Sequence, residues 1–155
     1  MHGSRPILIA YDGSEGAKAA IVAAGRLFEG QRAVVLSVWH SAAAAAPATV
    51  IGMPTGMAAQ AYQQLDEEAE RQGRAAADEG VEAAKAAGLD AVGITALCRG
   101  QVWATIVDAA EKEDAQAVVL GSRGHSSIVS ALLGSTANGV VHHSSRPVLV
   151  VPKAD

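Results

Sequence analysis

The chain has 155 residues, of which half are apolar and only 3% are aromatic. This length is enough for one domain with an aliphatic core. The formal net charge of −4 and the scattered basic residues argue against nucleic acid as a partner, because such binding depends on Lys and Arg neutralising phosphates. No apolar run is long enough to span a membrane, and residues 1–5 lack the apolar region of a secretion signal. With a single cysteine, Cys98, we expect a soluble cytoplasmic protein with no membrane partner.

The first 40 residues predict a β-α-β unit. Residues 6–12 form an apolar run that ends at Asp12, which is typical of a strand buried on both faces. Ser14 is suited to cap the helix that follows, and the apolar positions recur at helical spacing as far as Gly30. Residues 33–39 predict a second strand, so the crossover between the two strands should be right-handed.

The rest of the chain alternates between helices and strands after one irregular stretch. Residues 40–59 contain an alanine run, prolines and glycines, and we expect a mobile loop, either a lid over a ligand or a disordered segment. A long helix then follows, which Gly73 and Gly80 interrupt weakly. This alternation predicts a single domain with a doubly wound, mostly parallel sheet and helices on both faces. The predicted elements are a helix at 60–87, a strand at 91–98, a helix around 103–110, a strand at 117–120, a helix at 135–143 and a strand at 148–151.

A glycine-rich stretch follows the fourth predicted strand. It reads Gly121-Ser122-Arg123-Gly124, then nine residues, then Gly134-Ser135-Thr136. Glycine lets a turn approach a ligand closely, and the start of the next helix offers unpaired N–H groups that favour an anion. The stretch therefore predicts a cradle for phosphate. The alternative is that these residues only turn the chain, as glycine and serine often do after strands.

The spacing of these glycines resembles the nucleotide-binding signature of the universal stress protein family, in its ATP-binding subgroup. The closing strand fits as well, because the family ends on a strand of the type Pro-Val-Leu-Val-Val, and residues 146–152 here read RPVLVVP. The resemblance covers nearly the whole chain. It implies an adenine-nucleotide alpha-hydrolase-like α/β fold with five strands in the order 3-2-1-4-5. Asp12 and Gly121 would then meet at the switch point between the first and fourth strands, where such sheets bind ligands.

The resemblance also implies which residues contact the nucleotide. In family members that bind ATP, the end of the first strand and the backbone near the end of the second strand take part. Asp12 is in addition the candidate carboxylate near a phosphate-bound Mg²⁺, and its alternative role is to accept the N–H groups of Ser14 or Glu15 in a turn. The predicted cofactor-binding residues are Ala10, Tyr11, Asp12, Val38, Gly121, Ser122, Arg123, Gly124, Gly134, Ser135 and Thr136.

We predict no catalytic residue, because no pair of side chains stands out as a base placed to activate water. The sequence contains no P-loop, no dinucleotide fingerprint and no nucleophile elbow. His142 and His143 are adjacent, so on a helix they point about 100° apart and cannot share a metal.

The last predicted strand is a short apolar edge between Pro147 and Pro152. The resemblance implies a homodimer in which this strand pairs antiparallel with its copy, through Val148, Leu149, Val150 and Val151. The alternative is that Pro152 and Lys153 block further pairing. The leading hypothesis is a cytoplasmic homodimer that binds ATP, with Mg²⁺, in stress response or signalling. A slow ATPase or phosphotransfer enzyme and a nucleotide-independent interaction module remain as alternatives.

Overall fold

The computed structural model describes residues 4–45, 55–124 and 133–153. Within these ranges, five strands form one sheet in the order β3-β2-β1-β4-β5, and every neighbouring pair is parallel. The predicted fold class and strand order are confirmed. In chain order the elements are β1 (Ile7–Ala10), α1 (Glu15–Leu27), β2 (Arg32–His40), α2 (Ala42–Ala45), α3 (Thr55–Ala86), β3 (Asp90–Cys98), α4 (Val102–Lys112), β4 (Ala117–Gly121), α5 (Ser135–His143) and β5 (Val148–Val151).

Helices cover both faces of the sheet, and each face has its own core. Strand β1 illustrates the division: Ile7 and Ile9 pack toward α1 and α3, while Leu8 packs toward α4 and α5. All three side chains are fully buried. A parallel sheet covered on both sides has no polar face, and this explains why its strands read as continuous apolar runs.

The residues that begin and end the helices include a serine cap and glycines, as the sequence predicts. Ser14 caps α1, with its side-chain oxygen accepting the Ala17 N–H at 3.2 Å. Gly30 and Gly88 follow α1 and α3 with φ angles of 73° and 93°, in the left-handed region that favours glycine.

Helix α3 and the segment before it differ from the prediction. The helix begins at Thr55 rather than Gln60, and α2 occupies Ala42–Ala45, so both ends of the stretch predicted as a mobile loop are helical. Asp66 of α3 binds the residues just after β2: its carboxylate accepts hydrogen bonds from the Ser41 hydroxyl at 2.7 Å and from the Ala42 N–H at 2.6 Å. These hydrogen bonds, that of Ser41 first, lower the pKa of Asp66. Residues 46–54 lie outside the described part of the chain.

Gly73 and Gly80 do not interrupt α3, contrary to the prediction. They lie where the helix presses against the sheet: a Cβ at Gly73 would be 3.3 Å from the Trp39 Cβ, and one at Gly80 would be 2.7 Å from the Val35 Cγ1. Although α3 has 32 residues, neither it nor any other helix in the described ranges has the length and apolarity needed to cross a membrane.

Candidate functional site

A cavity of about 490 Å³ opens at the carboxyl end of the sheet, where β1 and β4 lie side by side. After β1 the chain turns to α1 on one face, and after β4 it continues to α5 on the other, so a crevice opens between them. Its volume falls in the range of small-molecule sites, roughly 300–1,000 Å³. The structure brings every predicted cofactor-binding residue to the lining of this cavity: Ala10, Tyr11, Asp12, Val38, Gly121, Ser122, Arg123, Gly124, Gly134, Ser135 and Thr136.

One end of the cavity is apolar. Leu36 contributes from β2, and Val102 and Ile106 from α4, while Leu120 adds apolar surface from β4. The sequence did not indicate that these four residues line a cavity, nor the other lining residues, which are Ser14, Ala17, His40 and Ala137. The apolar four are spaced like ordinary core residues and belong to the core cluster of that face, so only the fold reveals that they also border a cavity.

Strand β2 extends past the end of β1 at this apolar end. The pairing of the two strands stops at Ala10 and Leu36, and the Tyr11 N–H donates to the Leu36 carbonyl at 2.8 Å. Backbone groups alternate in direction along a strand, so Val38 directs its N–H and C=O to the same side as Leu36, beyond the end of β1. One residue therefore presents a donor and an acceptor to the apolar end of the cavity.

The turn after β1 lies at the opposite, polar end. The Asp12 Oδ1 accepts the Ser14 N–H at 3.0 Å, and Gly13 has a φ of 79°. The structural role predicted for Asp12, as a turn acceptor, is thereby confirmed. The Asp12 Oδ2 lies close to the loop after β4, since a Cβ at Gly124 would be 2.8 Å from it. A role for Asp12 as a nucleotide or magnesium ligand stays a prediction.

Two of the predicted cradle glycines are close-packed against protein backbone. A Cβ at Gly121 would be 2.7 Å from the Gly16 carbonyl group in α1, and one at Gly16 would overlap the Arg123 carbonyl. A Cβ at Gly134 would be 3.2 Å from the Ser122 carbonyl oxygen, which accepts the Gly134 N–H at 2.8 Å. These glycines let the first turn of α1, the end of β4 and the start of α5 lie directly against one another, and this packing shapes the polar end.

Helix α5 begins at the polar end of the cavity. Gly134 is its N-cap, and glycine has no side chain that could cap the first turn. The first N–H groups of a helix have no intrahelical acceptor, and they carry the positive end of the helix dipole. Ser135 and Thr136 line the cavity, and Arg123 lines it beside them. The polar end can therefore bind an anion, with backbone donors from α5 and a guanidinium from Arg123.

Tyr11 joins the back of the site to α3. Its hydroxyl donates to the Glu79 Oε1 at 2.5 Å, and the residue is only 3% exposed. Burial first, and then the Glu79 carboxylate, raise the pKa of Tyr11, so the phenol keeps its proton and remains a donor.

The described residues offer no preformed metal centre. They contain no group of three or more His, Cys, Asp or Glu side chains that could hold a metal ion. The His143 Nδ1 is 2.9 Å from the Gly139 carbonyl oxygen of its own helix. Among the described residues that line the cavity, Asp12 is the one with a carboxylate.

The fold and this cavity define a doubly wound α/β protein with a ligand-sized cavity at its switch point. A model of the Universal stress protein family matches residues 3–152. The chain belongs to that family.

Individual relatives match shorter stretches or match in fold. Universal stress protein G of Salmonella typhimurium is 48% identical over 52 residues, which cover 34% of this chain and 36% of that protein. A universal stress protein of Mycolicibacterium smegmatis is 40% identical over 57 residues, 37% of this chain, but the match spans only 19% of that relative.

Two solved structures cover nearly the whole chain. A universal stress protein in complex with cAMP has a TM-score of 0.67 at 23% identity, over 97% of this chain and 98% of the other. A universal stress protein from Archaeoglobus fulgidus in complex with dAMP has a TM-score of 0.63 at 20% identity, over 96% and 98%. At these identities the similarity shows the fold.

Proposed function

We propose that this protein binds adenine nucleotides in the switch-point cavity, with ATP and Mg²⁺ as the ligand, and that its nucleotide state serves as a signal in stress response. The main support is that one cavity joins an apolar end, with a backbone donor and acceptor, to a helix N-terminus that favours an anion. A nucleotide has this same division into base and phosphate.

The apolar end suits adenine in particular. Leu36, Val102 and Ile106 provide apolar surface for a ring, and Val38 supplies an N–H and a C=O from one residue. Adenine offers the complementary pair, an acceptor at N1 and a donor at its amino group. Guanine offers a donor and an acceptor in the reverse order, so both backbone groups would be left unpaired against it.

The polar end suits phosphates. The first turn of α5 and Arg123 supply donors and positive charge, and Asp12 is the carboxylate nearest to where a phosphate-bound magnesium ion would lie. The complexes of family members with cAMP and dAMP support the adenine nucleotide class.

We also propose a homodimer joined through β5. This strand is an edge of the sheet, its residues Val148–Val151 are half-buried and apolar, and an edge with unpaired backbone groups is a site for strand pairing. Sedimentation at micromolar concentration tests the dimer. A monomeric wild type contradicts it, and Val150→Lys should lower the dimer fraction of a dimeric wild type.

Calorimetric titration tests nucleotide binding. We expect ATP to bind, and Mg²⁺ to strengthen its binding because the cation offsets the repulsion between the phosphates and the Asp12 carboxylate. GTP should bind at least about tenfold more weakly, because it cannot form the Val38 hydrogen bonds. Mass spectrometry of any copurifying small molecule provides an independent check. If no adenine nucleotide binds, the proposal is wrong. ATP turnover well above background that Asp12→Ala abolishes would favour an enzyme instead.

A further inference from the structure

Helices α4 and α5 meet at an aromatic contact behind the cavity. The Trp103 indole and the His143 imidazole are stacked, with ring centroids 4.0 Å apart and planes inclined by 18°. The His143 Nδ1 is 2.9 Å from the Gly139 carbonyl oxygen, and because a carbonyl only accepts, Nδ1 carries the proton and donates it. This hydrogen bond holds the imidazole in one orientation against Trp103.

Gly139 completes the contact one helical turn before His143. It is buried, and a Cβ at this position would overlap the Trp103 side chain. Because glycine has only hydrogen there, the backbone of α5 lies directly on the indole. We refer to Trp103, Gly139 and His143 together as the α4–α5 clamp.

The clamp joins two helices that supply opposite ends of the cavity. Helix α4 contributes Val102 and Ile106 to the apolar end, and Trp103 lies between them in sequence. Helix α5 contributes Ser135 and Thr136 to the polar end. Since α5 has only nine residues, a displacement at Gly139 also moves its first turn.

We propose that Trp103, Gly139 and His143 are positioning residues that fix the phosphate-binding end of α5 relative to the base-binding wall on α4. This inference rests on the proposed function. None of the three residues lines the cavity, so their effect reaches a ligand only through the placement of the two helices.

The affinity for ATP divided by the affinity for adenosine, called the ratio below, tests this placement. Adenosine carries the base and ribose without phosphates, so the ratio isolates the polar end. We expect Gly139→Ala to displace α5 and to lower the ratio at least about tenfold, the equivalent of one lost hydrogen bond to a charged group, while adenosine binding changes little.

Gly25→Ala is the matched control. Gly25 is also a buried helical glycine, a Cβ there would overlap the Ala87 carbonyl, and the residue does not line the cavity. We expect this variant to lower the melting temperature and to leave the ratio unchanged. A wild-type ratio in Gly139→Ala, or an equal loss of ratio in Gly25→Ala, overturns the proposal.

Two further variants remove atoms rather than add them, in case Gly139→Ala does not fold. His143→Leu and Trp103→Leu both abolish the aromatic stack, and each should lower the ratio. The double variant Gly139→Ala with Trp103→Leu makes room for the added methyl group, so its loss should be smaller than the two single losses combined. An unchanged ratio in both leucine variants overturns the proposal.

Amide hydrogen exchange in the protein without ligand separates this proposal from nucleotide binding. The Asn138 N–H donates to the Gly134 carbonyl at 2.9 Å in the first turn of α5. Its exchange should be faster in His143→Leu than in Gly25→Ala, because the clamp holds this turn. Equal exchange rates of the Asn138 N–H in the two variants would overturn the proposed role of the clamp. If the wild type binds no adenine nucleotide, the proposed function fails while the exchange still tests the clamp.

Discussion

The two ends of the sheet differ: side-chain hydrogen bonds tie the elements together at the amino end, whereas a cavity opens at the carboxyl end. At the amino end, side chains satisfy one another: Arg146 donates to the Glu111 Oε2 at 2.9 Å, the Asp114 Oδ1 at 3.1 Å and the Ala115 carbonyl at 3.0 Å. At the carboxyl end, glycines bring backbones together, and the first turn of α5 borders a cavity. This difference supports the proposal that the carboxyl end binds a ligand while the amino end serves stability.

The strongest test of this division is Gly121→Val. The new side chain would collide with the Gly16 backbone, which lies 2.7 Å from the position of a Cβ. We expect the free energy of unfolding to fall by about 1–3 kcal/mol from overpacking and nucleotide binding to be lost, because the loop after β4 is displaced. Chemical denaturation and calorimetry measure the two effects. Parental stability with parental affinity would mean that this packing does not shape the site.

Gly124→Ala should act on the ligand alone. Among the described residues, a Cβ there would meet the Asp12 Oδ2 at 2.8 Å, which is the end of a side chain rather than backbone, and Gly124 does not have a positive φ angle. We expect a melting temperature close to that of the wild type and an ATP affinity about tenfold lower, because Asp12 is displaced from the polar end. A loss of stability comparable to that of Gly121→Val would show that the glycine is structural.

Arg146→Ala, at the amino end of the sheet, should lower stability and leave ligand binding unchanged. It removes the hydrogen bonds to Glu111, Asp114 and the Ala115 carbonyl, most of them exposed, so the melting temperature should fall by no more than about 5 °C. ATP affinity should not change. A weaker affinity in this variant would break the division between the two ends.

The smallest expected effect is a pH dependence of stability at the amino end. The hydrogen bond from Arg146 first, and then that from Ser145, lower the pKa of Glu111 to about 2. Because the folded pKa lies below the unfolded value of about 4.3, the stabilisation is present above pH 4.3 and is lost as the pH falls toward 2. The difference in melting temperature between wild type and Glu111→Gln should therefore shrink from pH 5 to pH 2. A constant difference would contradict the role of this carboxylate.

The sequence predicts the strands well because burial on both faces leaves an apolar run with a sharp end, as at Asp12 and Gly121. Strand order does not follow from such runs, and the prediction depended on the family resemblance. The spacing of the cradle glycines identified them as part of the site. It did not reveal why glycine is needed at Gly121 and Gly134, because their close contacts with Gly16 and the Ser122 carbonyl exist only in the folded chain.

Other residues were missed because their local pattern has two explanations. Val102 and Ile106 lie at core spacing, and periodicity does not distinguish a core position from the lining of a cavity. Gly73 and Gly80 resemble helix breakers, yet each marks a close approach to the sheet. The stack of Trp103 on His143 joins residues that are far apart in the sequence, and no local signal indicates it.

The length of α3 has a consequence for the association rate of the proposed nucleotide ligand. Its 32 residues span about 48 Å, whereas the nine residues of β2 span about 30 Å. The helix ends at the amino end of the sheet, so its first half extends past the carboxyl end, as the hydrogen bond of Asp66 to Ser41 also shows. Helix α3 carries seven acidic and three basic residues. Repulsion from these charges should slow the association of the proposed anionic ligand, so the association rate should rise with ionic strength as the repulsion is screened.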